Sequence, residues 1–489
     1  MLNRLNLPCR SRALLPLVVA VGVIGALMST TVAANYDLPD LGDTSSINIS
    51  PRQEQILGQQ WMRAYKAQVE TSSNPFIIEY VEQLMDQLLP HSQLPRKEVD
   101  ILIAQNDTLN AFAVPGNIIG IHTGLFNHAK TESQFSAVVA HELAHLSQRH
   151  YARSVEQQKN MMIPTLAGML AGLVLAANSR SDAGMAAIMT TQAASLQSRL
   201  AFSRQNEQEA DRIGLQTMVE AGIDPHAAGD MFEEMMRASR FYRRPPEYLL
   251  THPINERRVA DARNRASRFP RKPQVDNPQY QLIRTAIRAD LQESPQHAIK
   301  LFKNEIDNKS EHSYASMYGL ALSYMNAGDF ENARKTINSL IEQDPSQISY
   351  LVLRGEIESH AERHRQSLSI FNELLTQFPD SYPVKIRAAE AMMRAGNYQE
   401  SIEILNRLSR FRPKDDYVWY LLAEINGLSG NILGVHQARA EYFILNGVYD
   451  RAATQLRLGL QKARDNAYLT ALMEDRLKYC EEQLQNRGF

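Results

Sequence analysis

The sequence is poor in cysteine and has almost no net charge. It contains 489 residues but only 2 cysteines, and its 52 lysines and arginines are balanced by 54 acidic residues. Cys9 lies in an N-terminal segment that we expect to be removed, so Cys480 has no partner for an intramolecular disulfide. A nearly neutral protein creates no strong field that attracts nucleic acid, and nucleic-acid binding is therefore not expected.

Long hydrophobic runs are also scarce. The N-terminal run from Ala13 to Met28 is shorter than the roughly 20 residues of a membrane-spanning helix. Three arginines precede it and the small residues up to Ala34 follow it, which is the pattern of a secretory signal peptide. We expect residues 1–34 to be cleaved from a secreted protein; the alternative is that they stay as an uncleaved anchor.

A second apolar stretch, from Met161 to Ala177, is rich in alanine and glycine. It is also short for a membrane span, and two interpretations stay open. One is a buried helical hairpin. The other is a mobile flap, or a peripheral contact with the membrane edge, beside the active site.

Local patterns predict a first domain made of helices and a small sheet. Residues 50–53 have the spacing of a capping box with proline at the first helical position. The runs Val99–Ala104 and Asn110–Ile121 are rich in β-forming residues and predict two strands or a bent hairpin. From Thr131 to about Ser154, apolar residues recur at helical intervals.

The C-terminal part of the sequence repeats every 34 residues. Prolines and alanines keep this interval, at Pro345, Pro379 and Pro413 and at Ala327, Ala361 and Ala395. A helix-turn-helix unit of this length resembles the tetratricopeptide repeat, whose stacked units present a concave surface for binding protein. We place the domain boundary near residue 270, with a catalytic domain at residues 35–270 and the repeat domain at residues 271–489.

One motif in the first domain carries the chemistry. His141-Glu142-Leu143-Ala144-His145 lies within the predicted helix. Positions i and i+4 share one helix face, so both imidazoles can reach one metal ion while Glu142 activates a water. The alternative is a polar face with two solvated histidines. It is disfavoured because apolar residues flank the motif on both sides.

A catalytic zinc site normally has three protein ligands. Glu207 and Asp211 follow downstream at i and i+4 of a helical segment, whereas Glu209 points elsewhere. Glu207 could bind the metal while Asp211 accepts the free N–H of a ligating histidine. Taken alone, the segment is better interpreted as a solvated acidic helix face; the upstream histidine motif reverses that preference.

These motifs resemble those of the HtpX-like and CAAX-prenyl-protease-like gluzincins, which carry HExxH and then a glutamate in an ExxxD context on a later helix. The secretory signal, NAFAVPGNIIGIHTGLF, HELAHLSQRH, NEQEADRIG and the repeat array are similar to the periplasmic members that act on outer-membrane β-barrel proteins. The resemblance implies a mostly α fold with a small β-sheet, in which an HExxH zinc metalloprotease domain precedes an α-helical tetratricopeptide solenoid.

The resemblance also assigns roles to individual residues. It implies one Zn²⁺ per chain, held by His141, His145 and Glu207, with catalytic roles for Glu142 as general base and Asp211 behind the ligands. The residues that it implies for binding substrate along an edge strand are Asn110, Ala111, Phe112 and Ala113.

We therefore expect a periplasmic zinc endopeptidase that degrades misfolded or stalled outer-membrane β-barrel proteins and assists their assembly. Its partners would be these unfolded substrates and, through the repeat domain, the β-barrel assembly machinery. The alternative is a repeat-based adaptor or chaperone whose protease domain is largely latent.

Of the remaining histidines, His252 is the candidate for a role at the active site. His122, His128 and His150 are expected to be structural or solvent-facing. His252, in a loop bracketed by prolines, could fill the fourth metal position as a latch, donate to the oxyanion of the tetrahedral intermediate with help from Arg258, or merely cap a helix. We favour the latch, because Thr-His-Pro marks a local stop rather than a helix face.

Overall fold

The computed structural model describes residues 50–157, 203–241, 247–271, 277–463 and 466–485. The expected signal peptide at 1–34 and the apolar stretch at 161–177 lie outside these residues. Within the described ranges, no helix combines the length and the apolar character needed to cross a membrane.

The N-terminal part of the described chain surrounds a small sheet with helices. In chain order its elements are α1 (Pro51–Lys66), α2 (Pro75–Leu88), β1 (Asp100–Ala104), β2 (Ala111–Val114), β3 (Ile118–His122), α3 (Gly124–His128), α4 (Glu132–Ser147), α5 (150–157), α6 (203–220), α7 (His226–Phe241), α8 (Glu247–Thr251) and α9 (Glu256–Ala266). The capping box expected at residues 50–53 is present at the start of α1.

Strand β3 is the middle strand of the sheet. It pairs in parallel with β1 and antiparallel with β2. Gly116 (φ 85°) and Asn117 (φ 62°) form the tight turn between β2 and β3 in a left-handed conformation, which glycine and asparagine adopt most readily. Among the described residues, β2 pairs with β3 alone and forms one edge of the sheet.

Helix α4 lies in the centre of the core. Its side chains Phe135, Val138, Val139 and Leu143 are all buried, in keeping with the helical spacing that the sequence shows. Helices α2, α3 and α7 pack around it and contribute further buried side chains. The helix that carries the histidine motif is therefore held rigidly.

Helix α4 ends earlier than its sequence pattern suggests. The pattern continues to about Ser154, but α4 stops at Ser147 and Arg149 takes a left-handed conformation (φ 50°) before α5 begins. Arginine rarely adopts this conformation, and the sequence has no glycine there to indicate a break. Residues 150–157 consequently form a separate helix.

The C-terminal part consists of helix pairs. Its elements are α10 (Pro278–Asp290), α11 (Pro295–Asp307), α12 (Ser313–Asn326), α13 (Phe330–Gln343), α14 (Ile348–His360), α15 (His364–Gln377), α16 (Tyr382–Ala395), α17 (Tyr398–Phe411), α18 (Asp416–Leu428), α19 (Ile432–Leu445), α20 (Tyr449–Lys462) and α21 (Ala467–Gln485). A left-handed residue ends the first helix of four successive pairs, at Gly328, Glu362, Gly396 and Gly430. The predicted fold class, mostly α with a small β-sheet followed by helical repeats, is confirmed.

The two parts share buried contacts. Tyr280 of α10 is fully buried against Phe126, and its hydroxyl donates to the carbonyl of Ala129 (2.7 Å). Farther along the array, Arg412 forms an ion pair with Glu82 of α2. The domain boundary near residue 270 stays a prediction, and α10 lies beyond it.

Candidate active site

The two histidines of the HExxH motif sit one helical turn apart on α4. Their Nε2 atoms are 3.0 Å apart. Glu207 of α6 approaches both histidines: its Oε2 lies 3.5 Å from the Nε2 of His141, and its Oε1 lies 3.4 Å from the Nε2 of His145. The fold thus brings together the three residues that the sequence analysis proposes as metal ligands.

These distances suit a metal ion. In a tetrahedral site with bonds of about 2.0–2.2 Å to nitrogen and oxygen, neighbouring ligand atoms lie roughly 3.3–3.6 Å apart. The distances of 3.0, 3.4 and 3.5 Å come close to that range. With His252 included, the four side chains keep one donor atom each within 4.8 Å of one another. The donor set fits a divalent transition metal.

Small residues allow α6 to lie close to α4. Ala144, Ala210 and Ile213 form a small buried cluster between the two helices. A Cβ atom on Gly214 would lie only 3.0 Å from the carbonyl oxygen of Ala140 and from the amide nitrogen of His141. The contact leaves no room for a larger side chain, and it brings the carboxylates of α6 within reach of the histidines.

Glu142 is the most isolated polar group of the site. It is completely buried, and among the described residues neither of its carboxylate oxygens makes a well-formed hydrogen bond. The Nε2 atom of His252 lies 3.6 Å from one of them. Burial raises the pKa of Glu142, an effect opposed by the charges of His252 and His141. A carboxylate in this state needs a polar partner, such as a water that it can deprotonate.

Asp211 lies behind His141. Its Oδ1 is 3.0 Å from the Nδ1 of His141, and Arg258 of α9 bonds both of its oxygens at 2.7 Å. Burial raises the pKa of Asp211, but the nearby His141 and Arg258 lower it overall. An ionised Asp211 holds the Nδ1–H of His141 and so turns Nε2 towards the metal position.

Arg258 has contacts that the sequence analysis did not anticipate. The sequence alone suggests Arg258 only as a helper at the oxyanion. Here its Nη1 lies 3.0 Å from Glu207 and donates to the carbonyl of Pro253 (2.8 Å). Its guanidinium also lies over the ring of Phe232. No short motif links Arg258 to the carboxylates of α6, so only the packing of α9 on α6 reveals the role.

His252 reaches the donor cluster from the end of α8. Its Nδ1 is 3.1 Å from both oxygens of Glu207 and 3.4 Å from the Nε2 of His141. Its amide donates to the carbonyl of Tyr248 (2.7 Å), which closes the last turn of α8. The structure therefore brings His252 within ligand distance of the site. The latch stays a prediction.

A groove of about 510 Å³ opens at the proposed catalytic residues. Glu142, His145 and His252 line it together with Phe112 and Ala113 of strand β2. The strand begins at Ala111, one residue after the predicted Asn110, whose carbonyl accepts a hydrogen bond from the amide of His122 (3.0 Å). The proposed substrate-binding strand thus borders the groove that contains the proposed base.

Comparisons with known proteins assign the chain to a family. Residues 78–266 match the model of peptidase family M48, and residues 315–346 and 360–425 match tetratricopeptide-repeat models. The beta-barrel assembly-enhancing protease of Escherichia coli (strain K12) is 31% identical over 472 residues, which cover 94% of this chain and 96% of that protein. This chain belongs to the beta-barrel assembly-enhancing protease family.

Two further relatives agree with this assignment. The protein of the same name from Yersinia pestis is 30% identical over 461 residues, covering 92% of this chain and 94% of that protein. The mitochondrial metalloendopeptidase OMA1 of Arabidopsis thaliana is 33% identical over 159 residues, covering 32% of this chain and 30% of that protein. As a member of the beta-barrel assembly-enhancing protease family, the chain is a metalloprotease with a C-terminal repeat array that suits binding to other proteins.

Proposed function

We propose that this chain is a periplasmic zinc endopeptidase that degrades misfolded or stalled outer-membrane β-barrel proteins and assists their assembly. The observation that carries the proposal is the buried, unsatisfied carboxylate of Glu142 beside the convergent donors of His141, His145 and Glu207. Glu142 and His145 line a groove that is bordered by an edge strand.

The residues present would divide the work of peptide hydrolysis. His141, His145 and Glu207 would hold zinc, which when bound would supply a Lewis acid for the scissile carbonyl and lower the pKa of a water. Glu142 takes the proton of the attacking water and returns it to the leaving amine. Burial favours the protonated form of Glu142, which helps it to keep that proton until the amine leaves.

The substrate is best described as an extended chain that adds to strand β2. Main-chain hydrogen bonds along an edge strand select for unpaired β-segments more than for particular side chains. Phe112 and Ala113 would then contact the substrate directly, while Ala111 and the bonded carbonyl of Asn110 fix the start of the strand.

Outer-membrane barrel precursors are clients of this kind, because their strands stay unpaired until the barrel closes. Relatives of this chain are named for enhancing β-barrel assembly. The repeat array offers a surface for a protein partner, and we propose the β-barrel assembly machinery. A periplasmic location fits both the clients and the secretory pattern at residues 1–34.

Glu142→Gln in the full chain tests the catalytic assignment. We expect the variant to keep one zinc ion per chain while cleavage of an unfolded β-rich protein falls by about 10²–10⁴-fold, because Glu142 is the base and not a ligand. Glu220→Gln, at an exposed position of α6, is the matched control and should change neither property. Loss of zinc from Glu142→Gln, or undiminished cleavage, would contradict the assignment.

A second candidate function is that of an adaptor or chaperone with a largely latent protease domain. The position of His252 favours it, since a fourth protein ligand would occupy the position that a catalytic metal keeps open for water. The two functions are compatible if a client or partner displaces His252. The variant His252→Ala separates them.

A further inference from the structure

The Nδ1 atom of ligand His145 faces another histidine. The Nδ1 of His150 lies 2.8 Å away, and the Nε2 of His150 lies 3.2 Å from the Oε2 of Glu209. The same oxygen accepts a hydrogen bond from Arg153 (2.8 Å). His150 is only 4% exposed, so water hardly competes for its contact with His145.

One arrangement of protons satisfies this chain of contacts when His145 binds a metal. The metal takes the lone pair on Nε2 of His145, so its Nδ1 carries a proton and must donate it. The Nδ1 of His150 is then the acceptor, and His150 keeps its own proton on Nε2. The carboxylate of Glu209 accepts a hydrogen bond from that Nε2–H. Every donor in this series of contacts then has an acceptor.

The break between α4 and α5 is what brings His150 to this position. Residues five apart on a continuous α-helix point about 140° apart around its axis, so His145 and His150 would not face each other. The left-handed Arg149 redirects the chain, and its side chain bonds Glu54 at 3.0 Å. Backbone strain of this kind is found preferentially at functional sites.

We propose that His150 and Glu209 are positioning residues for the metal ligand His145. Glu209 orients His150, and His150 in turn orients His145, whereas Asp211 orients His141 directly. The three acidic residues of this part of α6 then serve a single metal site. Glu207 binds the metal, while Asp211 and Glu209 each orient one of the histidines. The inference rests on the metal assignment in the proposed function.

Variants of the full-length protein test this role through zinc affinity, measured by competition with a chelator. His150→Leu removes the acceptor, whereas His150→Asn keeps an amide oxygen near the position of Nδ1. We expect His150→Leu to weaken zinc binding by about 10–100-fold and His150→Asn to recover most of that loss. Glu209→Gln should give a smaller loss, because its amide oxygen can still accept a hydrogen bond.

Two further measurements distinguish positioning from a merely structural role. Since the two residues act in series, the double variant His150→Leu/Glu209→Gln should bind zinc no more weakly than His150→Leu alone. With cobalt as a probe, the visible absorption spectrum should change in His150→Leu and return towards that of the wild type in His150→Asn.

His226→Leu is the matched control, because His226 also bonds a carboxylate, Asp224 (2.8 Å), and lies outside the donor cluster. It should bind zinc as the wild type does. Unchanged zinc affinity in folded His150→Leu, or an Asn variant as weak as the Leu variant, would overturn the proposal. If His150→Leu does not fold, Glu209→Ala takes its place, because it leaves the Nε2–H of His150 without its acceptor; unchanged zinc affinity in folded Glu209→Ala would then overturn the proposal. A wild-type protein that binds no zinc would instead overturn the metal assignment.

Discussion

Replacing Gly214 with alanine tests how closely α6 must approach α4. The new Cβ would lie 3.0 Å from the carbonyl oxygen of Ala140 and from the amide nitrogen of His141, whereas ordinary contacts are 3.4–4 Å. Both obstructing atoms belong to the backbone of α4 and cannot rotate away. The helices must therefore separate by about 0.4 Å or more, because dispersion contacts turn repulsive at shorter range.

A shift of this size takes up most of the tolerance of the proposed metal ligands. Glu207 and Asp211 are carried by α6 and reach His141 across 3.5 and 3.0 Å. Functional constellations must be held to within about 0.5 Å of their working geometry. We therefore expect the zinc affinity of Gly214→Ala to fall by about 10-fold or more, with cleavage falling in parallel.

Gly229→Ala in α7 is the matched control for this experiment. A Cβ there would meet the Cγ of Arg263, which belongs to an exposed side chain that can move aside. Alanine gains about 0.5–1 kcal/mol over glycine in a helix, so the control should melt at a higher temperature and bind zinc normally. Zinc titration calorimetry and thermal unfolding of the metal-free protein measure both properties. If Gly214→Ala is stabilised like the control and binds zinc like the wild type, the close helix contact does not position the carboxylates.

Three further changes test other parts of the molecule. His252→Ala should raise basal proteolysis and ease zinc removal by a chelator; activity lowered by about 10²-fold or more with the metal retained would support the oxyanion donor instead. A chain cut after residue 273 should fail to fold by circular dichroism, whereas one ending after Leu291 should fold. The longer chain keeps Tyr280 and other core side chains of α10, each of which stabilises the fold by about 1.5–3 kcal/mol. Glu390→Gln should destabilise the array in urea at pH 7 by about 3 kcal/mol, because it breaks a buried pair with Arg387. Desolvation raises the pKa of Glu390 but Arg387 lowers it overall from 4.5, so this difference should be fully present above pH 4.5 and shrink as the pH falls below it.

The main helices could be predicted because residues close together in the sequence specify them. The apolar residues of α4 recur at helical intervals, and a 34-residue period marks the repeats. The end of α4 could not be predicted in this way. Arg149 is held in its left-handed conformation with a contact to Glu54, 95 residues away in the sequence. A conformation fixed by such a distant contact leaves no trace in a local pattern.

In the candidate site, too, some residues could be predicted from local sequence patterns and others only from contacts between distant parts of the chain. His141, Glu142 and His145 follow from one motif, because residues four apart share a helix face. The role of Glu209 could not be predicted from helical periodicity. Helical spacing places it away from the face of Glu207, yet it cannot reveal that α5 brings His150 to that other side. Such contacts become visible only when the positions of three helices are known together.

Arg258 explains how two buried carboxylates on one helix can face the same imidazole. Glu207 and Asp211 would repel each other, but the guanidinium of Arg258 lies 3.0 Å from one and 2.7 Å from the other. The same guanidinium donates to the carbonyl of Pro253, the residue that follows His252. The loop that carries His252 and the carboxylates at the proposed metal position therefore share one anchor. A movement that withdraws His252 must either break the bond to Pro253 or pull on Asp211, so the state of the loop and the geometry of the metal site are mechanically linked.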